Sequence, residues 1–444
     1  MDAFDTDRED VIKRARASGV EYMITIGSDM KGSLGAVELA GRYDSIFASI
    51  GIHPHDASSF NQGSVQAIKE LAQRPRVVAI GETGLDYHYM HSPGDIQIQV
   101  FKQHICIARE LSLPLIVHSR DAAADTLDIL RSEAKGTRGV LHCFSGDSDM
   151  AKKVMEMGFF ISIAGTVTFK NAKMIKEVAA IIPDEYLMLE TDAPYLSPEP
   201  MRGKRNEPSF VLHTARAIAD IRGVTVEDIA RITTVNAIRL FHIGELPEQG
   251  EIAYKIRQSL YLNVTNRCTN RCGFCVRFHT DYVKGHNLRL GHEPAAEELI
   301  HAIGNPCEYR EIVFCGYGEP FLRLDVIKEV AAWIKQNGGR VRINTNGHGN
   351  MIHGRNILPE LSGLVDSLSI SLDADDREKY ERICAPSFKD AFEGVLDFIK
   401  EAKRYVPQIV VTVVDLPDVD IQKCRRIADE LGVSLRVRHL DAVG

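Results

Sequence analysis

The stretch "SLYLNVTNRCTNRCGFC", residues 259–275, decides how the second half of the chain is read. Residues 259–265 form a short apolar run with β-branched and aromatic side chains, which predicts a buried strand. Three thiols follow at once, Cys268, Cys272 and Cys275, in the spacing C-x3-C-x2-C. Iron–sulfur clusters are held by cysteine thiolates, commonly four for a [4Fe–4S] unit, so three leave one iron open. A zinc module is the other reading of clustered cysteines. It wants a second Cys or Cys/His pair at matched spacing, and His279 is the nearest residue able to complete a Cys3His site.

Working outward from this strand, apolar runs alternate with helical patterns along the whole chain, the signature of parallel α/β architecture. In the second half further strands are predicted near 311–315, 340–344, 366–372, 408–414 and 434–438, six in all. That is too few for a closed eight-stranded barrel and predicts an open, partial one or a doubly wound sheet. In the first half strands are predicted near 20–27, 45–51, 76–82, 114–118, 138–143, 158–163 and 186–191, followed by helices over 208–222 and 226–242. The polar, Gly- and Pro-punctuated stretch "IGELPEQGEIAYKIRQ", 243–258, reads as a linker between domains at 1–242 and 259–444.

A chain of 444 residues with ordinary apolar and charged fractions suits two or three soluble domains. Neither a bilayer-length apolar run nor a signal-peptide segment is seen, and a cytoplasmic protein without membrane contact is expected. The formal net charge of −8 argues against nucleic-acid binding by bulk electrostatics, although a metal site can still present positive charge to a phosphodiester. Nine cysteines in such a chain read as thiols or metal ligands rather than as a disulfide framework; the six outside the cluster read as buried thiols.

In the first half, "GIHPHD" places His53 and His55 after one predicted strand, and "GETGLDY" places Glu82 at the end of the next. "IVHSRDA", "LHCFSG" and "LETDAPYL" place His118, His142 and Asp192 at the ends of later ones. Strand ends of a (β/α)8 barrel converge on one rim, where active sites are built. Imidazole and carboxylate without thiol suit Mg, Mn or Zn, singly or as a pair about 3.5–4 Å apart that assists hydrolysis, with Glu82 the carboxylate suited to bridge. These stretches, with "RGKRNEP" and "TTVNAIRLF", resemble the TatD family of metal-dependent deoxyribonucleases over residues 1–242. The resemblance implies Glu82 as the shared metal ligand, His118 and His142 on one ion, and Asp192 as a ligand near the attacking water. It also implies substrate contacts from His53 and Arg202, with DNA or a nucleotide as substrate. Family members open with a strand carrying His-x-His, whereas this chain begins "MDAFDTDRED". The barrel is therefore expected to lack its first strand, with a misplaced start as the favoured reason and exposed edges on the two neighbouring strands.

In the second half, the cysteine spacing with Phe274 before the last thiol resembles the radical S-adenosylmethionine (SAM) superfamily over 259–444. The resemblance implies a [4Fe–4S] cluster on Cys268, Cys272 and Cys275 whose open iron takes SAM, which an electron cleaves to methionine and a 5'-deoxyadenosyl radical. A donor such as flavodoxin or ferredoxin is the partner implied. "FCGYGEP", 314–320, is similar to the family's Gly-Gly-Glu-Pro element and implies Gly318 and Glu319 by the SAM amino group; "INTNG" implies Asn346 at the ribose. Ser371, Asp373 and Asp415 are further polar candidates at strand ends, and loop 276–293, basic with Phe278 and Tyr282, reads as a lid or a nucleic-acid contact. The fold expected is α/β: a TIM-barrel-like metal-dependent hydrolase domain without its first strand, then a partial (β/α)6 radical SAM barrel. The function expected is a fused hydrolase and radical SAM enzyme, the alternative being a radical SAM enzyme whose truncated barrel is an inactive scaffold.

Overall fold

The computed structural model describes residues 2–439; the last residues of the expected second domain, 440–444, lie outside the described residues. Two compact units divide between Leu246 and Pro247.

The first unit is a parallel sheet of seven strands: β1 (Met23–Ile26), β2 (Ile46–Ile50), β3 (Val77–Asp86), β4 (Leu115–Arg120), β5 (Gly139–Leu141), β6 (Phe159–Ile163) and β7 (Leu187–Leu189), paired in chain order. The connecting helices bury the outward side chains of the strands, such as Ile50, Leu115, Val117 and Ile161, in one core. A second, smaller cluster lies on the inner side, where Val78, Ile116, Val140 and Met188 meet Leu240, Phe241 and Ile243 from the end of the last helix. Among the described residues no strand pairs with the outer edge of β1 or β7. Side chains bridge where backbone does not. Arg14, on the helix Arg8–Ala17, forks onto Glu207 at 2.7–3.1 Å, and Arg205 onto Asp7 at 2.6–2.9 Å. Both arginines thereby tie the N-terminal helix to the loop that follows β7.

Strand β3 runs four residues beyond the Glu82 end that its apolar pattern suggests, because Gly84 lets it lie close against β4. A Cβ at Gly84 would sit 2.0 Å from the His118 carbonyl oxygen, and its φ of +139° is outside what side-chain-bearing residues adopt.

The second unit continues the numbering with β8 (Ala253–Ile256) and β9 (Ser259–Asn263), then a small hairpin of β10 (Tyr282–Val283) and β11 (His286–Asn287) inside the expected lid. The sheet is completed by β12 (Ile312–Cys315), β13 (Val341–Thr345), β14 (Ser367–Ser371), β15 (Gln408–Asp415) and β16 (Ser434–His439). Its order is β16-β15-β14-β13-β12-β9-β8, so the six expected strands are parallel neighbours and form an open, partial barrel. The expected linker needs correction: residues 253–256 are the edge strand β8, antiparallel to β9. A two-residue turn with Arg257 in the left-handed region joins them, and Tyr254 is buried against Tyr261. Strand-like alternation this short is masked by the Gly and Pro residues before it.

The buried His104, on the helix Gly94–Leu111, connects fold to site in the first unit. Its Nδ1–H donates to the Val100 carbonyl at 2.8 Å, and its Nε2 accepts the Ile52 N–H at 3.1 Å, next to His53. Burial pushes its pKa down to about 4 from 6.5, since a cation has no room there. The sign follows from linkage: the contribution is complete above pH 6.5 and is lost as pH falls toward 4, where the unfolded chain takes up the proton first. Urea denaturation is expected to show about 3 kcal/mol of this loss across that window in wild type. His104→Gln, which keeps one donor and one acceptor, is expected to flatten the slope.

Candidate metal centre and cysteine loop

The first site is built around one carboxylate oxygen. Glu82 Oε1 lies 2.6 Å from His142 Nε2, 3.0 Å from His118 Nδ1 and 3.4 Å from His53 Nε2. His53, Glu82 and His118 each offer a ligand atom within 4.8 Å of the others, and His142 stands 3.4 Å from His118. Four strand ends thus deliver four groups to one point. His53, expected at the substrate, lies among the metal-capable atoms. Burial alone would push the Glu82 carboxyl up; His142, His118 and His53 override it and hold the group well below the usual range. Burial works against the His142 cation, and the carboxylates of Glu82 and Glu190 outweigh it. A buried anion ringed by imidazoles is a donor set that suits a divalent cation.

Two further carboxylates escaped the sequence reading. Asp86 Oδ2 accepts from His118 Nε2 and His55 Nε2, each at 3.1 Å, and Asp86 Oδ1 accepts the backbone N–H groups of His88 and Tyr89. A ligating imidazole is oriented by such a partner on its other nitrogen. Glu190 accepts the Cys143 N–H and lies 3.6 Å from His142 Nδ1, where its charge favours the imidazolium without a hydrogen bond to fix the ring. Asp192, in the left-handed region at φ +55°, has its carboxyl raised to about 7. Burial is the main cause; Glu190 and Glu82 add to it, while His142 and His53 oppose it. Arg202 is exposed, with its guanidinium 3.9 Å from the centre of the Phe169 ring. At the rim, the exposed Tyr89 packs on His55 and carries Arg120 over its ring at 4.8 Å, and Tyr195 stands 70 % exposed just after Asp192.

In the second unit β9 leads directly into the cysteine loop, which is held from below by polar groups. His348, fully buried, meets Thr269 Oγ1 at 2.9 Å and the Tyr380 hydroxyl at 3.0 Å, and Asn270 donates to the same hydroxyl at 3.3 Å. Burial keeps His348 neutral, with its pKa down at about 4. Asn346 donates to Thr269 Oγ1 at 2.8 Å and toward Cys268 Sγ at 3.8 Å, and accepts the His348 N–H. Expected at a ribose, its amide braces the loop.

Glu319 is likewise buried. It accepts from Thr345 Oγ1 and the Asn346 N–H, each at 2.7 Å, and from the Phe321 N–H at 3.1 Å. These donors favour the carboxylate, but burial outweighs them and leaves the group near 7, where a neighbouring cation would hold it ionised. Gly318 is a contact point: a Cβ there would come 2.1 Å from the Arg267 carbonyl oxygen, so the Gly-Tyr-Gly-Glu-Pro turn seats against the start of the cysteine loop. Burial raises the Cys268 thiol to about 11 and lifts Cys275 in the same direction, while Arg277 pulls both the other way. Cys272 raises both further, and three thiols on one loop are the donor set an iron–sulfur cluster takes.

Comparison with known proteins gives each half of the chain a family. Residues 1–242 match the family model described as TatD related DNase, and residues 262–431 match that of the Radical SAM superfamily. The uncharacterized metal-dependent hydrolase YabD of Bacillus subtilis is 49% identical over 242 residues, which are 54% of this chain and 95% of that protein. A protein named 3'-5' ssDNA/RNA exonuclease TatD, from Cronobacter sakazakii, is 38% identical over 244 residues, 54% of this chain and 93% of its own. The crystal structure of YJJV, a TatD homolog from Escherichia coli, matches with a TM-score of 0.52 at 27% identity, covering 54% of this chain and 94% of that one. The TatD family implies a divalent metal and the radical SAM superfamily implies SAM and an iron–sulfur cluster; no helix among the described residues is long and apolar enough to cross a membrane. The chain belongs to the TatD-related DNase family through residues 1–242, and over 262–431 it carries a radical SAM domain, so two enzyme families are joined in one polypeptide.

Proposed function

We propose that the first unit is a divalent-metal-dependent phosphodiesterase acting on single-stranded DNA or nucleotides. The observation that carries this is the single Glu82 oxygen shared by three imidazoles. Glu82, His118 and His142 would hold Mg, Mn or Zn, with His53 and Asp192 close enough in the same mouth to serve a second ion. When bound, such an ion polarises a phosphoryl oxygen and lowers the pKa of water. The chain's own groups do the rest. Asp86 would orient the His118 imidazole, Glu190 would support the charge of His142, Asp192 would take a proton near neutral pH, and Arg202 would offer a guanidinium to phosphate. Tyr89 and Tyr195 give bases a surface to stack on, which favours an unpaired strand. A 5'-labelled single-stranded oligonucleotide is expected to be shortened in Mg or Mn and left intact in chelator. An intact oligonucleotide in every metal would overturn this reading and leave the barrel as a scaffold.

For the second unit we propose reductive SAM cleavage at a [4Fe–4S] cluster on Cys268, Cys272 and Cys275, with a flavodoxin- or ferredoxin-type donor in the cytoplasm. A cluster with SAM supplies one-electron cleavage of the sulfonium. The protein's share is to keep water out and to hold the loop, through Thr269, Asn270, Asn346, His348 and Tyr380. Gly318 lets the turn seat against the start of the cysteine loop, and Glu319 lies behind it as a carboxylate that an ammonium would keep ionised. After anaerobic reconstitution and reduction, 5'-deoxyadenosine is expected from wild type and none from Cys275→Ala. A well-loaded wild type that forms none would sink the radical reading.

A further inference from the structure

The three loop thiols have a fourth beside them, contributed from far along the chain. Cys384 ends the helix Arg377–Cys384, is fully buried, and its thiol is pushed up by the Cys272 side chain before any other neighbour. Two backbone hydrogen bonds flank the pair and hold the segments face to face: the Arg271 N–H donates to the Cys384 carbonyl at 2.9 Å and the Gly273 N–H to the Ile383 carbonyl at 3.1 Å. The two thiols also differ in access, Cys272 being partly exposed and Cys384 closed off in the core. A buried cysteine is ordinary; one on a segment paired through backbone with residues 271 and 273 of the C-x3-C-x2-C loop has a reaction partner.

We infer that Cys272 and Cys384 form a reversible disulfide when the loop holds no metal and the chain meets a peroxide. The accessible Cys272 thiolate attacks one peroxide oxygen, the O–O bond breaks, and with the thiol's proton the first water leaves, giving a sulfenic acid. The Cys384 sulfur then attacks Cys272 sulfur, the S–O bond breaks, and the Cys384 proton departs with the hydroxyl as the second water. In balance, two thiols lose two electrons and two protons, and the peroxide becomes two waters. A small dithiol reverses the step by exchange. The bond takes Cys272 out of the ligand set while sparing it from the irreversible sulfinic acid. Only this last consequence rests on the cluster reading above.

The test uses the full chain, purified without metal, reduced, and treated with hydrogen peroxide before alkylation and trypsin digestion. Cleavage after Arg271, Arg277, Arg382 and Lys389 is expected to give peptide 272–277 linked to peptide 383–389, with fragmentation between Gly273 and Phe274 assigning the bond to Cys272. Cys272 linked to Cys268 or Cys275, or both Cys272 and Cys384 alkylated after peroxide, would overturn the inference. Iron loading then tests the consequence. Dithiothreitol is expected to restore it in peroxide-treated wild type and not in Cys384→Ser, where Cys272 proceeds to sulfinic acid. Equal recovery in the two would count against the protective role. Failure of every sample to load iron, before or after peroxide, would sink the cluster reading and leave the peptide map to decide the disulfide.

Discussion

Glu82→Gln is expected to empty the first unit of its divalent metal and to lower oligonucleotide hydrolysis by about a thousandfold, on the order of 4 kcal/mol of transition-state stabilisation. The substitution keeps volume and removes charge. It replaces the anion that three imidazoles share with an amide that can bridge no cations and whose NH2 group competes with their N–H donors. Metal content, measured by mass spectrometry on the same preparation, is expected to fall with the rate. Iron in the second unit is expected to stay at its wild-type level, since that unit has its own core. Retained metal with a rate within about tenfold of wild type would shift the centre away from Glu82 and toward Glu190.

Gly84→Ala is expected to be the most destabilising single methyl in the first unit. The added carbon meets the His118 carbonyl at 2.0 Å, a backbone atom that cannot rotate aside, at a φ of +139°. Strands β3 and β4 would have to part where they carry Glu82, Asp86 and His118. The cost expected is more than about 4 kcal/mol, at the exceptional end for point mutants. Gly136→Ala is the control, with a φ of +80° and open space around the added carbon, and about 1 kcal/mol is expected there. Urea denaturation of the full chain, followed for both variants, separates the steric clash from the backbone preference. A Gly84→Ala midpoint matching that of Gly136→Ala would show that the strands can part freely.

Much of this architecture is legible in the sequence because apolar runs punctuated by Gly and Pro mark the strands, and chemistry-bearing residues end them. Glu82, His118 and His142 announce themselves that way. Asp86 does not, because Gly81 and Gly84 make "GETGLDY" look like a turn, whereas the strand continues and alternation brings Asp86 to the same side as Glu82. Glu190 was visible in principle, as the residue directly after β7 and two before Asp192. The role of His53 was harder, since residue type at a strand end does not say whether an imidazole meets metal or substrate. Strand β8 was hidden by its neighbours' composition. Cys384 and Tyr380 could not be read from spacing at all, because their partners in the cysteine loop are brought to them only by tertiary folding. The bracing of Asn346 against Thr269 is of the same kind.

The division between Leu246 and Pro247 leaves each unit with its own sheet and core, yet a single message translates both. Their copy numbers are locked at one to one, and neither promoter strength nor protein turnover can raise one without the other. What varies independently is cofactor supply. A cell short of iron would hold a full complement of hydrolase beside an idle radical domain, and a cell starved of its divalent metal the reverse.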